Sequence, residues 1–349
     1  MIVGLIGCGG IAHDGYLPAL AYLQPELVCV WDVDAPAASR AARVLIERSV
    51  RASQSSALAE LVQKVDRVVI AVPPAEVRSV VTAVAKVPTS KTPMPLLLEK
   101  PLGTSAEDAR LIIEHDGDVD LHYMETFLHS TAYVAMLEEA LSGRYGTPRR
   151  LVVAVKGSLP ANLESSWRGD RKQGGGVLHD WGIHAIGLAL HALRTIGLLK
   201  GNPGLEPVVG ESCWERHGSR QILTHCELQI KGAPIEVSIQ ASWVGPATSP
   251  SNPDVLLECD GGSIGLHVRK TDGSSDWVCY DDPLGSPRQL ASRRYPKELF
   301  IRGLAGFIGF ANARPSTNGV YDPYLGVEAM RIADSAYAHA VAKIATRSD

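Results

Sequence analysis

Short apolar runs alternate with amphipathic stretches through the first 125 residues of the chain. IVGLI (2–6), LVCVW (27–31), RVVIAV (67–72), LLLE (96–99) and VDLHY (119–123) are largely apolar at successive positions, as strands buried on both faces are. Between them, apolar positions recur at helical spacing over 11–23, 36–48, 75–86 and 105–115. Strands alternating with helices predict a parallel sheet covered on both sides, a domain over residues 1–125.

The texture changes beyond that point. HSTAYVAMLEEALSG (129–143) reads as a helix closed by Gly143. Stretches at 150–156, 208–216, 221–232, 235–244, 254–260, 263–269 and 275–280 read as strands joined by Gly, Pro or Asp turns, interrupted only by a helix over 177–199. Strand after strand without intervening helices predicts a large, mostly antiparallel sheet. Two last helices near 295–311 and 323–345 close an α+β domain over 126–349, whose final helix can pack back on the first domain. Residues 245–253 read as a polar loop.

Composition narrows the partners. A chain of 349 residues is long enough for two cores, and 45% hydrophobic with 21% charged residues is globular usage. A net charge of −4 gives no electrostatic case for nucleic acid or an anionic membrane. No apolar run approaches the roughly 20 residues that cross a bilayer. MIVGLIGCGG has no basic n-region, so neither a secretory signal nor a transit peptide is expected, and the six scattered cysteines fit a reducing cytoplasm. Cys8, inside a glycine loop, reads as a small filler.

That loop carries the first chemistry. GLIGCGGIAHDG lies between the first strand and the first helix, with Gly7, Gly9 and Ala12 in the G-x-G-x-x-G/A pattern. Gly7 makes the tight turn, Gly9 leaves room for a pyrophosphate, and Ala12 lets helix and strand pack closely. Gly10 and Ile11 open the helix, whose amides face the diphosphate. Asp32 ends the second strand at roughly the 20-residue distance expected of a carboxylate that grips ribose hydroxyls. Together these predict an α/β Rossmann domain that binds a dinucleotide, with Val72 and Pro73 lining the cofactor after the third strand. Asp32 and Asp34 would repel a 2′-phosphate, which favours NAD over NADP, although Arg40 and Arg43 on the next helix work the other way.

LLLEKPLG then sets Glu99-Lys100-Pro101 at a strand end, and GGGVLHDWGIHAI (174–186) sets Asp180 and His184 behind three glycines. With METFLHSTAY, LSGRYGTPR and WRGDRKQGGG between them, the chain resembles the glucose–fructose oxidoreductase/inositol dehydrogenase/MocA family over nearly its whole length. The resemblance implies a Rossmann domain followed by an α+β domain whose open sheet serves a homodimer or homotetramer. It also implies hydride transfer between a nicotinamide and a secondary carbinol of a sugar, aminosugar or cyclitol. Lys100, Asp180 and His184 match the family's catalytic positions, with Glu99 and Lys100 on the cofactor side. Two departures are visible: VPPAEV has Pro74 and Val77 where relatives often have an asparagine and a histidine, and METFLHS lacks an arginine that many carry.

The residue types suit that reaction. Oxidising a carbinol requires a base for its proton, and His184 is of the right type. Asp180, four residues earlier on one helical face, would fix the His184 ring or bind the adjacent hydroxyl, and Lys100 would stabilise the developing negative oxygen. The glycines would let the backbone approach nicotinamide and substrate. Trp167 and Arg168 are further substrate-side candidates, as are Glu125, Tyr123 and His129 after the last Rossmann strand; each is equally placed for packing. His191 reads as a core residue and His179 as pointing away. His179 and His184 are five apart and no HExxH occurs, so no metal is expected. Three other functions stay open on these residues: a glycosidase that retains NAD, a non-catalytic sugar-sensing regulator, and a reductase of planar aromatic substrates.

Overall fold

The computed structural model describes residues 1–114, 119–161, 163–201, 204–243, 253–271, 274–282, 288–294, 297–309 and 322–345, with backbone alone for 253 and 267–294. The first six strands are β1 (Ile2–Ile6), β2 (Leu27–Trp31), β3 (Ala52–Gln54), β4 (Arg67–Ile70), β5 (Met94–Glu99) and β6 (Val119–Met124). They pair in parallel in the order β3-β2-β1-β4-β5-β6. Ile2 lies opposite Leu27, and Val3 opposite Arg67. The apolar side chains of the inner strands β1, β4 and β5 sit almost all at zero or near-zero exposure, because helices cover both faces. The strand order reverses between β1 and β4, the switch point outside whose carboxyl ends such sheets bind ligands.

The covering helices are α1 (Leu17–Leu23), α2 (Ala35–Glu47), α3 (Leu58–Lys64), α4 (Pro74–Ala85) and α5 (Ala106–Ile113). Two of these elements were not expected from the sequence: β3, three half-exposed residues, and α3, a helix of seven. Both are too short for a periodic signal. The first predicted helix is also divided, a π-helical turn over Ala12–Tyr16 running into α1.

A turn of 3₁₀ helix (Thr126–His129) leads into α6 (Thr131–Leu141) and the second layer. Its strands are β7 (Pro148–Lys156), β8 (Glu206–His217), β9 (Arg220–Lys231), β10 (Glu236–Ser242), β11 (Pro253–Cys259), β12 (Gly262–Thr271), β13 (Ser274–Asp282) and β14 (Arg288–Arg294). They form one sheet in the order β14-β13-β12-β11-β7-β10-β9-β8, antiparallel except for the β7–β10 pair. The predicted α/β Rossmann layer and large, mostly antiparallel sheet are therefore both present.

The helix predicted over 177–199 is a π-helical turn (Leu178–Gly182) followed by α7 (Ile183–Thr195), which packs on β7 and β10. The last helices are α8 (Glu298–Ile308) and α9 (Pro323–Ala345); the outer residues of the helix predicted near 295–311 lie outside the described residues, as does most of the loop at 245–253. α9 touches α5 and β6 on one side, α7 and β8 on the other, so it spans both layers. Among the described residues no helix is long and apolar enough to cross a membrane.

Candidate active site

The glycine loop is shaped by backbone approach. Gly7 has φ +92°, and a Cβ there would stand 2.5 Å from the Ala71 carbonyl oxygen, so only glycine fits. Gly9 and Gly10 meet nothing within 4 Å of a Cβ position and are exposed, which leaves an open cradle above the helix start. Ala12 is fully buried between helix and sheet. Asp32 braces the loop: one oxygen accepts the Cys8 amide at 2.7 Å and the other the Asp34 amide at 2.8 Å. Cys8 itself is sealed, and burial, with Asp32 beside it, pushes its thiol up to about 12, as suits a filler. Arg40 is drawn to Asp34 at 3.5 Å, so it is engaged with a carboxylate.

Two cavities meet at this cradle. One, of about 640 Å³, lies between Gly7, Gly9, Asp32, Val72, Pro73 and the face of α4. The other, of about 420 Å³, is lined by Gly9, Gly10, Ile11, Val72, Pro73, Glu99, Lys100, Trp167 and Arg168. Because they share Gly9, Ala71, Val72 and Pro73, they form one groove across the switch point, as a dinucleotide requires. Every residue expected to touch the cofactor lines this groove except Ala12, which packs beneath it.

At the second cavity β5 ends in Glu99, and Lys100 follows it. Glu99 is buried and accepts the Tyr16 hydroxyl at 2.5 Å. Burial raises its carboxyl to about 7, the Tyr16 and Lys100 contacts working the other way. The Lys100 ammonium donates to Asp180 twice, to the carbonyl at 2.9 Å and to Oδ1 at 3.0 Å. The other Asp180 oxygen accepts from Arg168 Nε at 3.1 Å and from Trp243 Nε1 at 3.3 Å. Burial alone would raise this carboxyl, but the Lys100 and Arg168 charges win and hold it below the usual range.

Here the expected pairing fails. The carboxylate on the His184 ring is Glu125, whose Oε1 lies 2.6 Å from Nδ1, and not Asp180. Asp180 belongs to the π-helical turn and His184 to the α-helix after it, so the α-helical spacing assumed from sequence does not apply across the junction. Phe127 meets the His184 ring edge-on at 4.6 Å, and Trp181 lies 5.9 Å from it and 5.8 Å from Lys100 Nζ. Burial lowers the His184 pKa; Glu125 pulls it back up and Lys100 pushes it down further, leaving it below the ordinary histidine value. Among the described residues the ring's hydrogen bond is made at Nδ1, and none is made at Nε2.

Other expectations are corrected by packing. Glu125 has zero exposure, so it cannot be the substrate contact expected of it. Tyr123 and His129 are buried as well, and His129 is pressed down to about 3 by burial. The glycines before Asp180 serve the protein itself: a Cβ on Gly175 would stand 2.3 Å from the Trp167 carbonyl and 2.6 Å from that of Arg168. They let the π-turn dock against the segment carrying Trp167 and Arg168, whose side chains stack at 4.7 Å on the cavity wall. His179 points away to Asp334 on α9, at 2.9 Å, and His191 bonds Tyr133 in the core. Trp243, Phe127 and Tyr16 carry no local sequence signal and were not anticipated. Outside the groove, Glu211, His225 and Glu227 on β8 and β9 bring ligand atoms within 4.8 Å of one another, a set the sequence reading did not foresee.

The comparisons agree with this architecture. A family model described as oxidoreductase family, NAD-binding Rossmann fold matches residues 1–123, and the GFO/IDH/MocA C-terminal domain matches residues 133–198. Among solved structures the chain is similar in fold to a levoglucosan dehydrogenase complexed with NADH and levoglucosan (16% identity, TM-score 0.73, 98% of this chain and 97% of that one). It is similar to KijD10, a 3-ketoreductase from Actinomadura kijaniata complexed with NADP and TDP-benzene (16%, 0.71, 97% of each). It is also similar to a super-repressor mutant of Gal80p from Saccharomyces cerevisiae (14%, 0.74, 98% and 96%). No curated protein sequence matches the chain.

Proposed function

We propose that this chain, which belongs to the glucose–fructose oxidoreductase/inositol dehydrogenase/MocA oxidoreductase family, interconverts a secondary carbinol of a sugar, aminosugar or cyclitol with its ketone, using NAD. The observation that carries the reading is one convergence beside the Lys100 end of the groove. An ammonium (Lys100) and an imidazole with an unpartnered nitrogen (His184) flank Trp181, beside the cavity wall of Trp167 and Arg168.

A bound nicotinamide supplies the hydride acceptor, or the donor in the reverse direction. His184 Nε2 takes the hydroxyl proton, because an alkoxide is too basic to form unaided near neutrality. Lys100 donates to the same oxygen as negative charge grows on it. Asp180 acts on Lys100 and Arg168, holding both cations in place. The Trp167–Arg168 stack offers an aromatic face with a cationic rim, suited to the apolar face and hydroxyls of a pyranose or cyclitol ring.

Absorbance of the reduced nicotinamide tests this with NAD across inositols, aminocyclitols, hexoses and sugar phosphates. Turnover with one of these classes, lost in His184→Ala, is expected; no turnover with any carbinol at intact NADH affinity overturns the proposal. Because the His184 pKa is lowered, the imidazole is neutral at pH 7, and the acid limb of kcat/KM for oxidation is expected below about pH 6.5. A limb above that value would exclude His184 as the base.

The cofactor preference has its own test. Asp32 ends β2 at the larger cavity, and Arg40 is held by Asp34. Asp32→Ala is therefore expected to weaken NADH roughly tenfold or more, the worth of hydrogen bonds to a charged group, and NADPH far less, its loss coming only from the loop that Asp32 braces. Equal losses by fluorescence titration would remove the ribose contact.

A further inference from the structure

We infer that Glu125 is a positioning residue whose carboxylate takes the Nδ1 proton of His184 and so presents the Nε2 lone pair to the reacting hydroxyl. The inference rests on the proposed role of His184 but not on the identity of the substrate. Glu125 directly follows β6 of the dinucleotide-binding layer, whereas His184 lies in the first turn of α7 in the other layer, so the contact joins the two layers.

With Glu125 ionised, the geometry leaves one hydrogen-bonding arrangement. A carboxylate only accepts, so the ring nitrogen 2.6 Å from Oε1 must carry a proton, and in the neutral ring the proton-free nitrogen is then Nε2. Oε1 also accepts the Phe127 amide at 3.3 Å, which fixes the carboxylate, while the Phe127 ring fixes the imidazole edge-on. Glu125 has zero exposure and Oε2 has no hydrogen-bond partner, so the group is sealed from solvent and acts on its surroundings through His184.

The charges around the ring make Glu125 necessary. Lys100 at the end of β5 disfavours a protonated ring, as does burial; Asp180 on the π-turn opposes them, but it is already engaged by two cations. Glu125 supplies the main compensation, and its charge is felt in turn by Tyr123, Tyr133 and Glu99. Without it His184 would be both a weaker base and free to take the other tautomer. Glu125 therefore sets the direction and the strength of the base together.

The test is ¹⁵N NMR of the histidine rings in the full-length chain, the His184 signals being those missing from His184→Ala. Wild type is expected to show protonated Nδ1 and bare Nε2; the opposite tautomer overturns the inference without any Glu125 variant. In Glu125→Gln, which keeps the shape and loses the charge, the His184 titration midpoint is expected to move down by about one pH unit or more, carrying the acid limb of kcat/KM with it. The turnover rate is expected to fall about 10²- to 10⁴-fold at unchanged NADH affinity, with partial return in Glu125→Asp. An unmoved His184 titration in Glu125→Gln overturns the inference. Full turnover in His184→Ala instead overturns the functional reading, whichever tautomer the ring shows.

Discussion

His184→Ala is expected to lower the turnover rate by about 10²- to 10⁴-fold, the range that a positioned general base supplies, with NADH affinity within twofold of wild type. His184 is 4% exposed and does not line the groove where the dinucleotide lies, so the split between rate and cofactor affinity follows from its position. The same substitution should also destabilise the fold. It leaves the Glu125 carboxylate buried with only the Phe127 amide as partner, a cost of about 1–3 kcal/mol or more for a charged group. Adding Glu125→Gln removes that stranded charge. The double variant should therefore unfold at higher urea than His184→Ala alone while remaining equally inactive. Stability that falls further on adding Glu125→Gln would break the argument that the two side chains form one unit, and wild-type turnover in His184→Ala would remove the base.

How much of this was open to sequence reading depends on the range over which each contact acts. The Gly7–Gly9–Ala12 pattern, the strand before it and Asp32 after it are local, and the groove they predict is present with those residues on its walls. The alternation of strands and helices likewise gave the first layer, and the run of strands without intervening helices the second. The π-helical turns at Ala12–Tyr16 and Leu178–Gly182 left no mark, because one widened turn hardly shifts a short helical pattern, least of all in the second, where four of its five residues are buried. Yet the second turn decides the partners: it gives Asp180 to Lys100 and Trp243, and His184 to Glu125. Those partners lie 63 and 59 residues away from Asp180 and His184 in the cases of Trp243 and Glu125, a range at which tertiary packing alone selects them. The three glycines were legible as special, but the close approach that requires Gly175 is to the Trp167 and Arg168 carbonyls, which come from a loop with no periodicity.

Lys100→Met should cut kcat/KM by about 10²- to 10³-fold, the measured worth of one donor to a developing oxyanion. Most of the loss is expected in kcat, because the ammonium meets full negative charge only as the proton leaves. Methionine keeps the length and the apolar stem, so the 420 Å³ cavity should keep its shape and NADH its affinity. The partner pays as well: Asp180, 5% exposed, then faces only Arg168 and Trp243, and its carboxyl pKa must rise because the first of its two favourable charges is gone. Breaking a buried pair from one side costs about 3–5 kcal/mol, whereas neutralising both sides costs less. Lys100→Met with Asp180→Asn should thus recover much of the lost stability and none of the rate, a non-additivity that a double-mutant cycle reads directly. Lys100→Arg should not rescue turnover, since a planar fork cannot reach both the Asp180 carbonyl and Oδ1 as the ammonium does while still facing the cleft. A Lys100→Met variant that raises KM and leaves kcat intact would make the lysine a binding group, and the negative charge on the reacting oxygen would then have to be met by Arg168.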